Sequence, residues 1–227
     1  MRPGRLRATA AILLAAAATS GRAGDVPGAA IVLEARIELL GRVSDAAPPR
    51  FVLLGDGRVF VGGTDRLQAG RLDKAAMSGL ERRVERVRKL PGLGESVSLG
   101  GDASRRFRLR LLKGRTLDVV VAGDPASAPR GLEPLAGLVE ELLRFHHPTL
   151  RPWTPERYAL LAREGELLGG CRPWTFEIPL RDALIRPQAV EAASASGWPT
   201  GANPASVCEG GRRYVVTLRP LLPGEQP

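Results

Sequence analysis

Histidine, cysteine and aromatic residues are scarce in this sequence. Its 227 residues include two histidines and two cysteines, and the aromatic fraction is 4%. The histidines, His146 and His147, are adjacent, and neighbouring helical positions diverge by about 100°, so the pair does not chelate one metal ion unaided. They precede Pro148 at the end of a predicted helix, where we expect them to cap the helix or lie on the surface. No metal ligand is predicted.

Recognisable catalytic motifs are also missing. The chain has no GxSxG elbow and no Walker, Rossmann, HExxH or zinc-finger pattern. Carboxylates are plentiful, but no pair is marked out as an acid–base dyad, although catalytic carboxylates often come from distant segments. The sequence therefore predicts no catalytic or cofactor-binding residue. It leaves open a hydrolase with an unrecognised carboxylate site, which requires a close acid pair in a cleft with a raised pKa.

Lysine is rare as well, and arginine supplies most of the positive charge. The lysines are Lys74, Lys89 and Lys113. The excess of arginine, with abundant alanine, glycine and proline, is typical of GC-rich coding rather than of nucleic-acid binding. Basic residues without interleaved aromatic ones do not make a platform for single-stranded nucleic acid. We therefore expect no nucleic-acid partner.

Residues 1–23 are typical of a secretory signal peptide. Three arginines precede an apolar run at residues 8–19, which is too short to span a bilayer. Gly21 and Ala23 fit cleavage after Ala23; cleavage after Ser20 and a cytosolic N-terminal helix are the alternatives. Removal of this segment lowers the net charge from +9 to +5, because it holds four arginines and no acid. With no anchor cysteine near the cleavage region, we expect a secreted or cell-envelope protein without a transmembrane segment.

The two cysteines both lie in the part expected to be exported. An even count in an oxidising compartment favours a disulfide between Cys171 and Cys208. Two buried free thiols are the alternative. Neither residue belongs to a CxxC motif or has a histidine nearby, so metal binding and thiol catalysis are not indicated.

A glycine-rich stretch, FVLLGDGRVFVGG at residues 51–63, invites three interpretations. A phosphate loop requires a helix after the glycines, and here a strand-like VFV follows. A calcium loop requires several acids at alternate positions, and only Asp56 is present. Asp-Gly between two β-prone runs is a hairpin signal, so we predict a turn.

Periodicity predicts the remaining elements. The predicted strands are residues 31–39, 51–54, 58–61, 105–112, 115–121, 158–163, 175–180 and 212–219. Helices are predicted at residues 73–90, with Asp73 as N-cap, and at residues 131–145. The tail at 220–227 has three prolines and is expected to be extended.

These elements indicate the α+β class. We predict an antiparallel sheet built from β-hairpins, with two main helices packed on one face. The exported chain, residues 24–227, is expected to be a single domain with an irregular, proline-rich C-terminal third from about residue 148.

Two groups of residues are candidates for a binding surface. Arg106, Arg108 and Arg110 alternate along one predicted strand, where they can meet an anionic partner or form the wet face of an antiparallel sheet. Trp153 and Trp174 lie beside prolines in the second half. They can stack on carbohydrate or protein, or serve as core plugs and loop anchors.

Three short stretches resemble a group of uncharacterised exported proteins and lipoproteins of high-GC bacteria. PRFVLLGDGRVFV resembles their PxFxLYGDGxVI hairpin, GRRYVVTLRPLLPGE resembles their closing strand and RPLLPxE tail, and CRPWTFEIPL matches in part. The chain has Leu54 where the group commonly has tyrosine, and it lacks the lipoprotein cysteine. The resemblance implies export and a shared fold, and it implies no activity.

Export without a catalytic signature favours a binding role. The leading interpretation is a non-enzymatic module that binds a protein or polymer of the envelope or the medium. The alternatives are the hydrolase described above and a secreted inhibitor or chaperone-like protein.

Overall fold

The computed structural model describes most of the chain and confirms the predicted fold class. The residues that it describes are 30–39, 50–62, 67–102, 104–201 and 203–227. The predicted signal segment, residues 1–23, lies outside them. Within the described ranges the chain forms twelve strands in two mostly antiparallel sheets, with three α-helices. None of these helices is long and apolar enough to cross a membrane.

Eight strands form the larger sheet. In chain order they are β1 (Ile31–Leu39), β2 (Phe51–Leu54), β3 (Arg58–Val61), β4 (Gln68–Arg71), β5 (Ser96–Ser98), β6 (Arg105–Leu111), β7 (Leu117–Ala122) and β8 (Arg151–Pro152). Their spatial order is β5-β7-β6-β1-β2-β3-β4-β8. All neighbours pair antiparallel except β5 and β7, which are parallel.

Four strands form the smaller sheet, in the spatial order β10-β9-β12-β11. They are β9 (Arg157–Glu164), β10 (Gln188–Glu191), β11 (Ala205–Glu209) and β12 (Arg212–Pro220). The helices are α1 (Lys74–Arg88), α2 (Glu133–Leu143) and α3 (Leu180–Ile185). The region from residue 148 onward, expected to be irregular, therefore contains a complete four-stranded sheet.

The Gly55-Asp56-Gly57 segment is a hairpin turn between β2 and β3, as predicted. Gly57 has a φ of 87°, a left-handed conformation that glycine adopts without strain. Its amide donates to the Leu54 carbonyl at 3.0 Å, and the Asp56 carboxylate accepts from the Arg58 amide at 3.0 Å. The acid and the glycines thus serve the turn itself.

Helices α1 and α2 cover one face of the larger sheet, which is the predicted arrangement. α1 begins after Asp73, whose side chain accepts a hydrogen bond from the Ala76 amide at 2.8 Å. Apolar residues of both helices, including Leu80 and Leu138, form one core with strand residues such as Leu109. Because successive strand residues point to opposite faces, every second residue of β6 points away from the helices.

The smaller sheet has its own core and a disulfide at its edge. Leu160, Leu218 and Trp198 are among the buried residues of this core. Cys171 and Cys208 are bonded, with their Cα atoms 5.4 Å apart, which confirms the predicted disulfide. Cys208 belongs to β11, so the bond fastens an edge strand.

The predicted strand at residues 175–180 is wrong. No strand forms there, and Leu180 begins α3. The Trp174 indole N–H donates to the Ile178 carbonyl at 2.7 Å, so the segment folds back on itself. A strand would hold residues four apart at about 13 Å from each other, which excludes this contact.

The C-terminal tail, expected to be extended, turns after β12. The Glu225 carboxylate accepts hydrogen bonds from the Leu222 amide at 2.9 Å and the Arg219 guanidinium at 2.7 Å. Leu222 packs with Val52 and Phe60 on the second face of the larger sheet, away from α1 and α2. The tail therefore covers an apolar part of that face.

Candidate binding surface

The three predicted arginines lie side by side on the second face of the larger sheet. Arg106, Arg108 and Arg110 alternate along β6 with the core residues Phe107 and Leu109. Arg106 is exposed, and the side chains of Arg108 and Arg110 are 45% and 39% exposed. The structure thus brings all three to one surface, beside the part that the tail covers.

A fourth arginine belongs to this surface. Arg36 on β1 is the direct cross-strand partner of Arg108. We call the surface formed by Arg36, Arg106, Arg108 and Arg110 the arginine face. Like charges directly opposite each other on antiparallel strands are destabilising. Sequence reasoning missed Arg36, because the register of β1 against a distant strand cannot be read from periodicity alone.

Asp118 on β7 is the partly exposed acid of the arginine face. Arg108 donates to its two carboxylate oxygens, with both donor–acceptor distances 2.9 Å. The Arg110 Nε lies 3.6 Å from one of the same oxygens. The Asp118 side chain is 37% exposed, so water screens both pairs. Asp118 therefore orients two guanidinium groups without burying them.

Glu34 on β1 is the second acid of this surface, and it is buried. Its side chain is only 2% exposed, and it forms ion pairs with Arg36 and with Arg110, the latter at 3.3 Å. Its cross-strand partners are Arg110 on β6 and Val52 on β2. A buried carboxylate requires such partners, because an uncompensated charge is costly away from water. Glu34 thus anchors two of the arginines from beneath.

The charge that the arginine face presents to solvent is positive. Its described side chains are four arginines, one partly exposed acid and one buried acid. Glu38 pairs in backbone register with Arg106, while its side chain lies outside the description. Among the described side chains of this surface, arginines outnumber acids four to two. An anionic partner therefore meets a net attractive surface.

The Arg108–Asp118 pair gives a direct test of this geometry. Hydrogen bonding from Arg108 holds the pKa of Asp118 below its ordinary value of 3.8, against the opposing effect of burial. A lowered folded-state pKa stabilises the fold above pH 3.8, and this contribution is lost as pH falls through the folded-state pKa. Arg108→Gln removes the bonds, so we expect the Asp118 pKa to rise, as measured by NMR titration of the side-chain carboxyl.

The matched control is Arg106→Gln, which removes the same charge from the same strand face. Arg108 and Arg110 are the charges that act on Asp118. We therefore expect the control to leave the Asp118 pKa close to that of the wild type. An Asp118 pKa that does not change in the Arg108→Gln variant would contradict the pair.

The two candidate tryptophans lie in different clusters rather than on one surface. Trp153 packs against Phe60 with ring centroids 5.0 Å apart, in the cluster under the tail. Trp174 packs against Phe176 and Trp198 beside the smaller sheet, at centroid distances of 5.1 and 6.4 Å. These contacts favour the interpretation of both tryptophans as packing residues.

The histidines lie on the surface beyond α2. His146 is exposed, and the His147 Nδ1 atom lies 2.7 Å from the Thr149 hydroxyl. Helix α2 ends at Leu143, and the amide of Arg144 supplies its closing hydrogen bond. Across the described ranges, no group of three or more histidine, cysteine or acidic side chains is arranged to hold a metal ion.

The carboxyl groups with a shifted pKa do not match an acid catalyst. Among the described residues they are Asp56, Asp102 and Asp118, and the pKa of each is lowered. A catalytic acid at neutral pH requires a shift in the opposite direction. These groups therefore give no support to the hydrolase interpretation.

An apolar groove of about 330 Å³ opens between α1 and the larger sheet. Its apolar lining residues are Val32, Leu33, Leu53, Met77, Leu80 and Val84. Two ion pairs lie at its rim: Glu81–Lys113 at 2.7 Å and Glu85–Arg88 at 2.5 Å. The helical period predicted an apolar stripe on α1, but the sequence holds no signal that part of the stripe borders an open groove.

Comparison of the chain with protein-family models, with curated proteins and with solved structures finds no match in any of the three. The resemblance to exported proteins of high-GC bacteria stays a prediction.

Proposed function

We propose that the chain is an exported, non-enzymatic binding module that recognises an anionic component of the cell envelope or of the surrounding medium through the arginine face. The observation that carries the proposal is the placement of four arginines on one open strand surface, where the acids are fewer. The signal-like N-terminus and the disulfide support export, since disulfides persist in oxidising compartments.

Arginine suits the proposed role because of its chemistry. The planar guanidinium presents several donors in a fixed fork that matches carboxylate and phosphate oxygens. Asp118 already engages Arg108 in this two-point geometry. A ligand anion is expected to adopt the same geometry on neighbouring guanidinium groups, in place of Asp118 or beside it.

Retention on phosphocellulose tests the proposal with a matched pair of double variants. The first is Arg106→Gln with Arg108→Gln; Arg110 is kept because it pairs with the buried Glu34. We expect this variant to elute at a lower salt concentration than the wild type, since fewer cations contact the matrix phosphates.

The control is Arg82→Gln with Arg86→Gln, two exposed positions on α1. It has the same net charge as the test variant, but α1 covers the other face of the sheet. We expect it to elute near the wild type. Equal shifts in both double variants would show that only net charge matters, and the proposed function would then be wrong.

A further inference from the structure

The arrangement of the arginines indicates what kind of anion they take; the inference rests on the proposed function. We propose that the ligand of the arginine face is a linear phosphate polymer other than nucleic acid, which lies along β6 and contacts several guanidinium groups at once. A single small anion is the ligand that this geometry argues against.

The arginines that β6 contributes to the arginine face are evenly spaced along the strand. Arg106, Arg108 and Arg110 occupy alternate positions of one strand, so the Cα atoms of consecutive members are about 7 Å apart. Arg36 widens the row at its middle, because it is paired across the strand with Arg108. A straight row of cations on a strand fits a ligand that is itself extended and carries charge at regular intervals.

The arginine face is an exposed part of a sheet surface. Small anions are held tightly in concave sites where several donors converge on one point. The cavity beside Arg50 and the groove along α1 are lined by other residues and lie away from the arginine face. On β6 the arginine positions lie in a row along a sheet surface, and Asp118 already occupies the place where the Arg108 and Arg110 guanidinium groups meet.

Single ionic contacts on the arginine face are weak. An ion pair at a solvent-exposed site contributes little, because water and salt screen it. Asp118 also competes for Arg108 and Arg110. A single phosphate therefore binds this surface with low affinity. A chain that binds the first arginine, by contrast, presents its next phosphate to the neighbouring arginine at high effective concentration. Only a multivalent ligand turns these weak contacts into useful affinity.

Calorimetric titration with phosphate chains of increasing length tests the inference. The probes are orthophosphate, tripolyphosphate and long-chain polyphosphate, at equal total phosphate and low salt. We expect the affinity per binding site, corrected for the number of overlapping sites on each chain, to rise at least tenfold from tripolyphosphate to the long chain. Three phosphate contacts predict a slope of about −2 to −3 for log affinity against log salt concentration.

Variants locate the polymer on the protein. Arg106→Gln with Arg108→Gln is expected to weaken long-chain binding at least tenfold, and Arg82→Gln with Arg86→Gln to leave it unchanged. Asp118→Asn removes the competing charge, so we expect binding to tighten several-fold. Weaker or unchanged binding in the Asp118→Asn variant would overturn the role assigned to that acid.

The outcomes separate the inference from the proposed function. If tripolyphosphate binds the arginine face as tightly as the long chain, the polymer inference is overturned and an anion-binding module remains. Tighter binding of polyglutamate of equal length would identify an acidic polypeptide as the ligand and also overturn it. If no anion binds and phosphocellulose retention does not depend on Arg106 and Arg108, both proposals are wrong.

Discussion

Replacement of both cysteines by serine is expected to lower the free energy of unfolding of the protein by about 2–4 kcal/mol. The bond joins residues 37 positions apart, and the chain-entropy model assigns a loop of this size about 4 kcal/mol. Residual structure in the unfolded chain reduces this figure. The double variant also avoids leaving one unpaired thiol that forms intermolecular bonds.

The position of the bond adds a second expected effect. β11 is an edge strand of the smaller sheet, and Cys208 lies within it. The segment at Cys171 covers this edge: the Arg172 amide donates to the Ser206 carbonyl at 3.0 Å, and Arg172 forms a parallel bridge with Val207. Loss of the bond loosens this cover, and an uncovered edge strand is a template for aggregation. We therefore expect the double variant to begin to aggregate at a lower denaturant concentration than the wild type.

Urea denaturation followed by tryptophan fluorescence measures the stability loss. Trp174 and Trp198 report on the core of the smaller sheet, and Trp153→Phe removes the signal from the other cluster. Wild-type protein with and without a thiol reductant is the control, since reduction must reproduce the effect of the serines. A free energy of unfolding that is the same with and without the bond would contradict the prediction.

Local chemistry explains which elements were predictable from the sequence. The Asp-Gly turn works because Gly57 takes a positive φ and Asp56 bonds the backbone two residues ahead. α1 follows from its apolar stripe and from the Asp73 cap. In each case the residues that decide the structure are within one turn or one hairpin of each other, so the sequence contains the whole interaction.

Elements that depend on distant partners were not predictable. β4, β5 and β8 have two to four residues each, too few to show a period, and each takes its hydrogen bonds from a neighbouring strand. The segment 175–180 has the composition of a strand. Instead, the hydrogen bond between the Trp174 indole and the Ile178 carbonyl folds this segment back on itself, and α3 begins directly after Pro179.

The candidate site divides in the same way. Alternation alone placed Arg106, Arg108 and Arg110 on one strand surface, because the period of a strand is local. The positions of Arg36 and Asp118 beside them depend on the register of β1 and β7 against β6. The charge balance of the arginine face, which decides whether it attracts an anion, is therefore a property of the sheet and not of any one segment.

The tail explains why only part of the second sheet face is open. Over β2 and β3 this face is apolar, and Leu222 and Trp153 cover it. Over β6 it is charged, and Arg106 and Arg108 are exposed. Both parts follow from the same alternation, since the residues opposite the core are apolar in β2 and arginine in β6. The tail and Trp153 cover the apolar part, and the arginine part stays exposed.

Trp198→Ala is expected to lower the free energy of unfolding by about 3–5 kcal/mol without changing polyphosphate binding. The Trp198 side chain is buried, with the ring of Phe176 4.6 Å away between centroids. The Arg172 guanidinium lies 4.8 Å above the indole, and the indole N–H donates to the Thr175 hydroxyl at 3.1 Å. Truncation removes all of these contacts and leaves a cavity, whereas the arginine face belongs to the other sheet and keeps its geometry.

Trp198→Phe separates packing from hydrogen bonding in this prediction. It keeps an aromatic ring beside Phe176 but loses the donor to Thr175, so we expect about 1 kcal/mol of the loss from the missing bond, with a further part from the smaller ring. Chemical denaturation gives the stability of each variant, and titration with long-chain polyphosphate gives its affinity at a temperature where both variants stay folded. A Trp198→Ala protein that keeps its stability and loses binding would place the ligand on the aromatic cluster. The binding site would then belong to the smaller sheet. Truncation of a side chain that only fills a core does not lower the affinity of the protein for polyphosphate while the fold persists.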